Sequence, residues 1–184
     1  RLDRGTSGLM VVAKHDRAHE ELSRQFRDRE VEKEYVALVW GEVQPGRRID
    51  LPIGRDEVNR KKMSAKARRS REAVTRIAGA EHFGRALTLA RVAIHTGRTH
   101  QIRVHLSAIG HPVVGDPLYG GVHRRVPGDV RAVNRLERPF LHAAKLAFHH
   151  PVDGRPMVFT SALPPDLQAV VDALAAHFRP ADQA

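Results

Sequence analysis

The sequence predicts an α+β fold, a mixed and mostly antiparallel sheet flanked by helices. Three observations carry this. Short apolar, β-branched runs outnumber the stretches with helical periodicity. Asp153-Gly154 separates two apolar runs, a hairpin signal. The helical stretches do not alternate regularly with the strands, which disfavours a doubly wound parallel sheet.

In chain order, Leu9 to Lys14 (LMVVAK) reads as a buried strand. Asp16 can cap the helix that follows, through about Arg29, whose Ala18, Leu22 and Phe26 recur on one face. Glu34 to Gly41 (EYVALVWG) reads as a strand, with Tyr35, Ala37 and Val39 on one side and Val36, Leu38 and Trp40 on the other. Further strands are expected near Leu51 to Gly54, Ala73 to Ile77 and Ala86 to Thr96. Thr99 opens a helix with Ile102, Leu106 and Ile109 in register, and Gly110 and Pro112 end it. Phe140 to Pro151 and Arg155 to Ser161 form the hairpin about Asp153-Gly154. Pro164-Pro165 starts a last helix with a stripe of Leu167, Val170, Val171 and Leu174.

The chain has 184 residues, enough for one domain with a real core, and its 41% apolar content argues against disorder. Lys and Arg total 31 against 21 Asp and Glu, a net charge of +10. That excess points to a polyanionic partner, nucleic acid first. The charge is concentrated. Residues 55–72 carry eight basic and three acidic side chains, and residues 121–138 carry five and two. Together these two segments hold +8 of the +10, and basic loops beside a cleft would clamp a phosphate backbone. Aromatic residues make up only 5%, too few for a binder built on stacking platforms. With no cysteine, disulfides, thiolate metal sites and thiol nucleophiles are excluded, and a reducing compartment such as the cytoplasm fits. No apolar run reaches the length of a membrane span.

Two strings carry chemistry. RLDRGTSG at the start sets Asp3 beside Gly5, Thr6, Ser7 and Gly8, small residues that permit a tight turn and close ligand approach. GRTHQIRVH at Gly97 to His105 supplies Arg98 and Arg103. An arginine beside a carboxylate favours its charged form, and an ionised, aimed carboxylate can act as nucleophile or base. Three histidines, His100, His105 and His111, would alternatively suit a ribonuclease using general acid–base chemistry. The charge pattern alone would equally suit an RNA-binding module without catalysis.

These strings, with KEYVALVWG at Lys33 to Gly41, GRTHQIRVHLSAIGHPVVGDPLYG at Gly97 to Gly120 and LHAAKLAFHHP at Leu141 to Pro151, resemble in order and spacing the RluA-type pseudouridine synthases. IGRDEVNRKKM at Ile53 to Met63 is most similar to the large-subunit rRNA branch. The resemblance implies the pseudouridine synthase catalytic fold and conversion of uridine in RNA to pseudouridine, with no metal or organic cofactor. The expected partner is ribosomal RNA, or alternatively transfer RNA, and the expected state a cytoplasmic monomer. Because the chain starts at Arg1 inside a motif, the expectation is a single catalytic domain over residues 1–184 that lacks the fold's N-terminal strands.

By position, the resemblance makes Asp3 the nucleophile, Arg103 its paired arginine, and Tyr35 the ring that stacks on the target base and moves a ribose proton. It assigns Ile102 to the pocket wall and Arg1 to the gap left by the extruded nucleotide. Arg98, near a helix start, is expected to hold a phosphate. Arg68, Arg69 and Arg71 in the first basic segment are expected to grip the RNA backbone.

Overall fold

The computed structural model describes residues 1–122 and 131–178. One large sheet is built from β1 (Ser7–Gly8), β2 (Glu32–Trp40), β3 (Arg48–Asp50), β7 (Val74–Phe83), β8 (Leu87–Ile94), β9 (Leu141–His149) and β10 (Pro156–Thr160). A small sheet holds β4 (Ile53–Arg55), β5 (Met63–Ser64) and β6 (Ser70–Arg71). The helices are α1 (Asp16–Arg27), α2 (Gln101–Ala108), the short α3 (Arg131–Asn134) and α4 (Pro165–Phe178). The large sheet runs β1-β9-β2-β8-β7-β3, with β10 also on β9. Only the β1–β9 pairing is parallel among the described strands, so the sheet is mixed and mostly antiparallel.

The central strands are apolar on both sides. Ala37, Leu38 and Val39 of β2 and Leu87, Ala90 and Val92 of β8 are fully buried. Ile102 and Leu106 of α2, and Leu167, Val170 and Leu174 of α4, join the same core. A second cluster sets Leu22 of α1 and Val31 against Leu146 and Phe148 of β9. The hairpin about Asp153-Gly154 forms as expected, pairing β9 with β10.

Three local expectations are corrected. Leu9 to Lys14 lies outside every strand. Leu9 donates one backbone hydrogen bond to Ala143 and the ladder stops there, because β10 occupies that edge of β9 from Lys145 onward. Leu9, Val11 and Ala13 still pack on the second cluster, while Met10 and Val12 point to solvent. The cap of α1 is His15, whose Nδ1 accepts from Ala18 N, with Asp16 in the first turn. The second helix starts at Gln101 rather than Thr99, because His100 takes a left-handed conformation (φ 57°) that cannot continue a helix.

The basic stretch 55–72 is not a structureless loop. The small sheet orders it, and Gly54 is the hinge of that order. A Cβ there would sit 2.0 Å from the carbonyl oxygen of Arg69, so only glycine lets the strands close. Of the second basic segment, 121–138, residues 123–130 lie outside the described residues.

Candidate active site

The turn that carries Asp3 is pinned from three sides. Thr6 N donates to Asp3 O at 3.0 Å. Arg138, itself clasped by Asp166, donates through Nη1 to Gly5 O at 2.9 Å. Ser7 Oγ pairs with His142 Nδ1 at 2.9 Å. Gly8 then lies directly on β9, where a Cβ would come within 2.3 Å of Ala143 O. The string GTSG therefore presses one turn against the sheet edge and leaves the Asp3 side chain pointing away from it.

Asp3 and Tyr35 line a cleft of about 380 Å³ together with Arg1, Arg98 and Lys33. A narrower recess beneath it adds Thr6, Ile102 and Leu141 to the same wall. Tyr35 sits where the β2–β9 register shifts, since Glu34 faces Lys145 but Tyr35 faces Ala143. Such a bulge re-aims the side chain beside it. Burial, and secondarily the Asp3 carboxylate, push the Tyr35 phenol up to about 12. It is a neutral phenol throughout the physiological range.

Arg103 lies behind Asp3, 4% exposed. Its Nε and Nη2 donate to Asp116 at 2.7 and 2.9 Å, a bidentate fork to a carboxylate with no exposure. Its third nitrogen, Nη1, is 3.9 Å from Asp3 Oδ2. The expected Asp3–Arg103 pair is thus a longer ion pair, and the closer partner of Arg103 is Asp116. The reason is burial: a guanidinium this deep needs a full counter-charge and a planar acceptor. Asp116 also accepts from Leu118 N and Tyr119 N. No hydrogen-bond donor reaches the Asp3 carboxylate among the described residues, which leaves its oxygens free for a ligand. The hydroxyl of Thr6 is likewise buried without a partner among the described residues.

The remaining expected residues separate into two groups. Arg1 Nη2 donates to Thr99 Oγ1 at 2.8 Å at the cleft mouth. Arg98 lines the cleft, but its Nε donates to Glu72 O at 3.0 Å and its backbone N–H to Gln101 Oε1. It is held by those two bonds, with its outer nitrogens left to meet an anion. Ile102, 5% exposed, walls the inner recess. Arg68, Arg69 and Arg71 lie in the segment ordered by the small sheet, exposed and outside the cleft lining.

The three histidines do not form a catalytic group. His105 is fully buried, bonded to Thr75 Oγ1 and Leu51 O. His111 pairs with Trp40 O, and His100 with Tyr119 Oη. Sequence reasoning missed Asp116 and Tyr119. The available signal was Arg103 itself, an arginine set between Ile102 and Val104 on a core-facing helix. It required a buried acid, and Asp116 lies in the turn that follows, GDPLYG.

A family model described as RNA pseudouridylate synthase matches residues 1–108. The chain is 43% identical over 174 residues to ribosomal large subunit pseudouridine synthase D of Nitrosomonas europaea, covering 95% of this chain and 50% of that protein. It is 46% identical over 170 residues to the protein of the same name in Pseudomonas aeruginosa, covering 90% and 52%. The chain thus spans about half the length of the curated relatives it matches. The solved structure of human RNA pseudouridylate synthase domain containing 1 superposes with a TM-score of 0.74 at 31% identity, over 100% of this chain and 80% of that one.

Proposed function

The chain belongs to the RNA pseudouridylate synthase family, and from that premise we propose that it isomerises uridine in RNA to pseudouridine, with Asp3 as the group that breaks the glycosidic bond. One observation carries the reading. A carboxylate free of hydrogen bonds among the described residues faces a cleft, with a buried arginine behind it and a tyrosine ring on the wall.

The reaction needs little else from the protein. The N1–C1′ bond breaks and its electron pair leaves with the base. The base turns over, C5 bonds to C1′, the C5 proton departs and N1 gains one. Asp3 either attacks C1′ or drives elimination to a glycal, and both routes need a carboxylate close to the sugar. Arg103 holds that carboxylate by charge from behind, without covering the oxygens that must react. A flat Tyr35 ring would retain the detached base, because stacking tolerates in-plane rotation. As a neutral phenol it would return a ribose proton rather than abstract one.

The target must leave the helix stack, which costs a few kcal/mol. Phosphate contacts from Arg68, Arg69 and Arg71 would offset that cost, Arg1 would fill the gap, and Arg98 would meet a phosphate at the cleft. Ile102 would press on the base from the recess. The names of the bacterial relatives support large-subunit rRNA as the substrate, and transfer RNA is the alternative. On this reading the chain is one catalytic domain and works as a cytoplasmic monomer. Uridine tritiated at C5 tests it: incubation with unmodified rRNA should release tritium to water as pseudouridine forms. No release from either rRNA or transfer RNA would contradict the proposal.

A further inference from the structure

Tyr119 joins two parts of the molecule that the reaction uses separately. Its ring lies 5.0 Å beneath the guanidinium of Arg103, and its backbone N–H is fixed by Asp116, the carboxylate that holds the same arginine. Its carbonyl accepts from Ser107 on α2, the helix that carries Arg103. Its hydroxyl accepts from Met63 N at 2.8 Å, the first residue of β5 in the small basic sheet. The same oxygen lies 2.8 Å from His100 Nδ1. His100 is the left-handed residue at the start of α2, a conformation costing about 1–2 kcal/mol that surrounding contacts must hold. Met63, Ala65 and Tyr119 also share one small apolar cluster with Ile53, Ala73 and Val104.

We propose that Tyr119 is a positioning residue that couples the basic sheet to the Asp3–Arg103 pair, so that RNA held at Arg68, Arg69 and Arg71 promotes the chemical step as well as binding. The proposal rests on the pseudouridine synthase reading. Its physical basis is the 3.9 Å gap between Arg103 and Asp3. A pair at that distance has room to tighten, and the side chain packed under the arginine is hydrogen-bonded to β5, which shares the small sheet with β6, the strand that carries Arg71. A tyrosine with a purely structural role would change stability and leave the catalytic effect of the basic sheet untouched.

The test is a double-mutant cycle on the full chain, read as the single-turnover rate at saturating rRNA beside the Kd. The perturbations are Tyr119→Phe, which keeps the ring and removes one oxygen, and joint replacement of Arg68, Arg69 and Arg71 by Gln. Each alone should lower the saturated rate about tenfold, the order of one lost buried hydrogen bond. Together they should lower it hardly further, because both cut the same link. Multiplying effects, or a saturated rate indifferent to the arginines, would overturn the proposal while leaving the isomerase reading intact. No turnover by the wild type would remove both. Should Tyr119→Phe fail to fold, Met63→Pro deletes the N–H from the other side. It should also abolish the effect of the arginines on rate, and a Met63→Pro enzyme that still responds to them overturns the coupling.

Discussion

Asp3→Asn and Asp116→Asn are the same chemical edit on two carboxylates facing one guanidinium, and they should have unequal effects on stability. Asp116 is fully buried and takes both bonds of the Arg103 fork at 2.7 and 2.9 Å while capping two backbone N–H groups. An asparagine there removes the counter-charge and turns an NH₂ toward a guanidinium, which has no acceptor. Breaking a buried pair from one side costs about 3–5 kcal/mol. Asp3 is 21% exposed, 3.9 Å away and without a hydrogen bond to Arg103. Such a pair is worth about 0–1 kcal/mol. Urea denaturation at neutral pH separates the two. With a slope of about 2 kcal/mol/M, Asp116→Asn should lower the midpoint by roughly 2 M and Asp3→Asn by less than about 0.5 M. Against a total stability of about 5–15 kcal/mol, the first loss leaves a weakened but foldable protein in most of that range. Equal shifts for the two variants, or a shift under about 0.5 M for Asp116→Asn, would refute the division of labour around Arg103.

Other outcomes follow from the same geometry. Tyr35→Phe should slow single-turnover pseudouridine formation while Kd stays within about twofold, since the ring remains and the hydroxyl goes. Because the phenol is pushed up to about 12, wild type and variant should share one pH–rate shape between about pH 6 and 9. Replacing Arg68, Arg69 and Arg71 by Gln should weaken RNA binding and flatten the slope of log K against log salt by up to about 3, one for each phosphate no longer neutralised. Burial lowers the His105 imidazole below its usual 6.5 despite its bond to Leu51 O. The folded state therefore takes up that proton less readily than the unfolded chain. The stability is present above about pH 6.5 and is lost as pH falls below it. The urea midpoint should fall between about pH 7.5 and 5.5, and less steeply in His105→Gln.

Much of the fold is legible in the sequence. Periodicity marks β2, β8, α1 and α4, and Asp153-Gly154 marks the β9–β10 hairpin, because those signals are local. Leu9 to Lys14 misleads because an apolar β-branched run says nothing about whether a strand edge is free, and here β10 has taken it. The left-handed His100 is hidden because a non-glycine residue gives no warning of positive φ. Asp3, Tyr35 and the arginines can be nominated from the motifs that hold them. Asp116 and Tyr119 cannot, since their importance comes from what they touch: a buried guanidinium, a strand N–H and a strained helix start.

Whether the Asp3 carboxylate does the bond breaking is tested most directly by mapping new pseudouridines in unmodified large-subunit rRNA. The comparison is a single turnover by wild type and by Asp3→Asn at matched RNA occupancy. Wild type should convert defined uridines and Asp3→Asn none, with the two binding equally well. Conversion by Asp3→Asn at the wild-type rate would contradict the assignment.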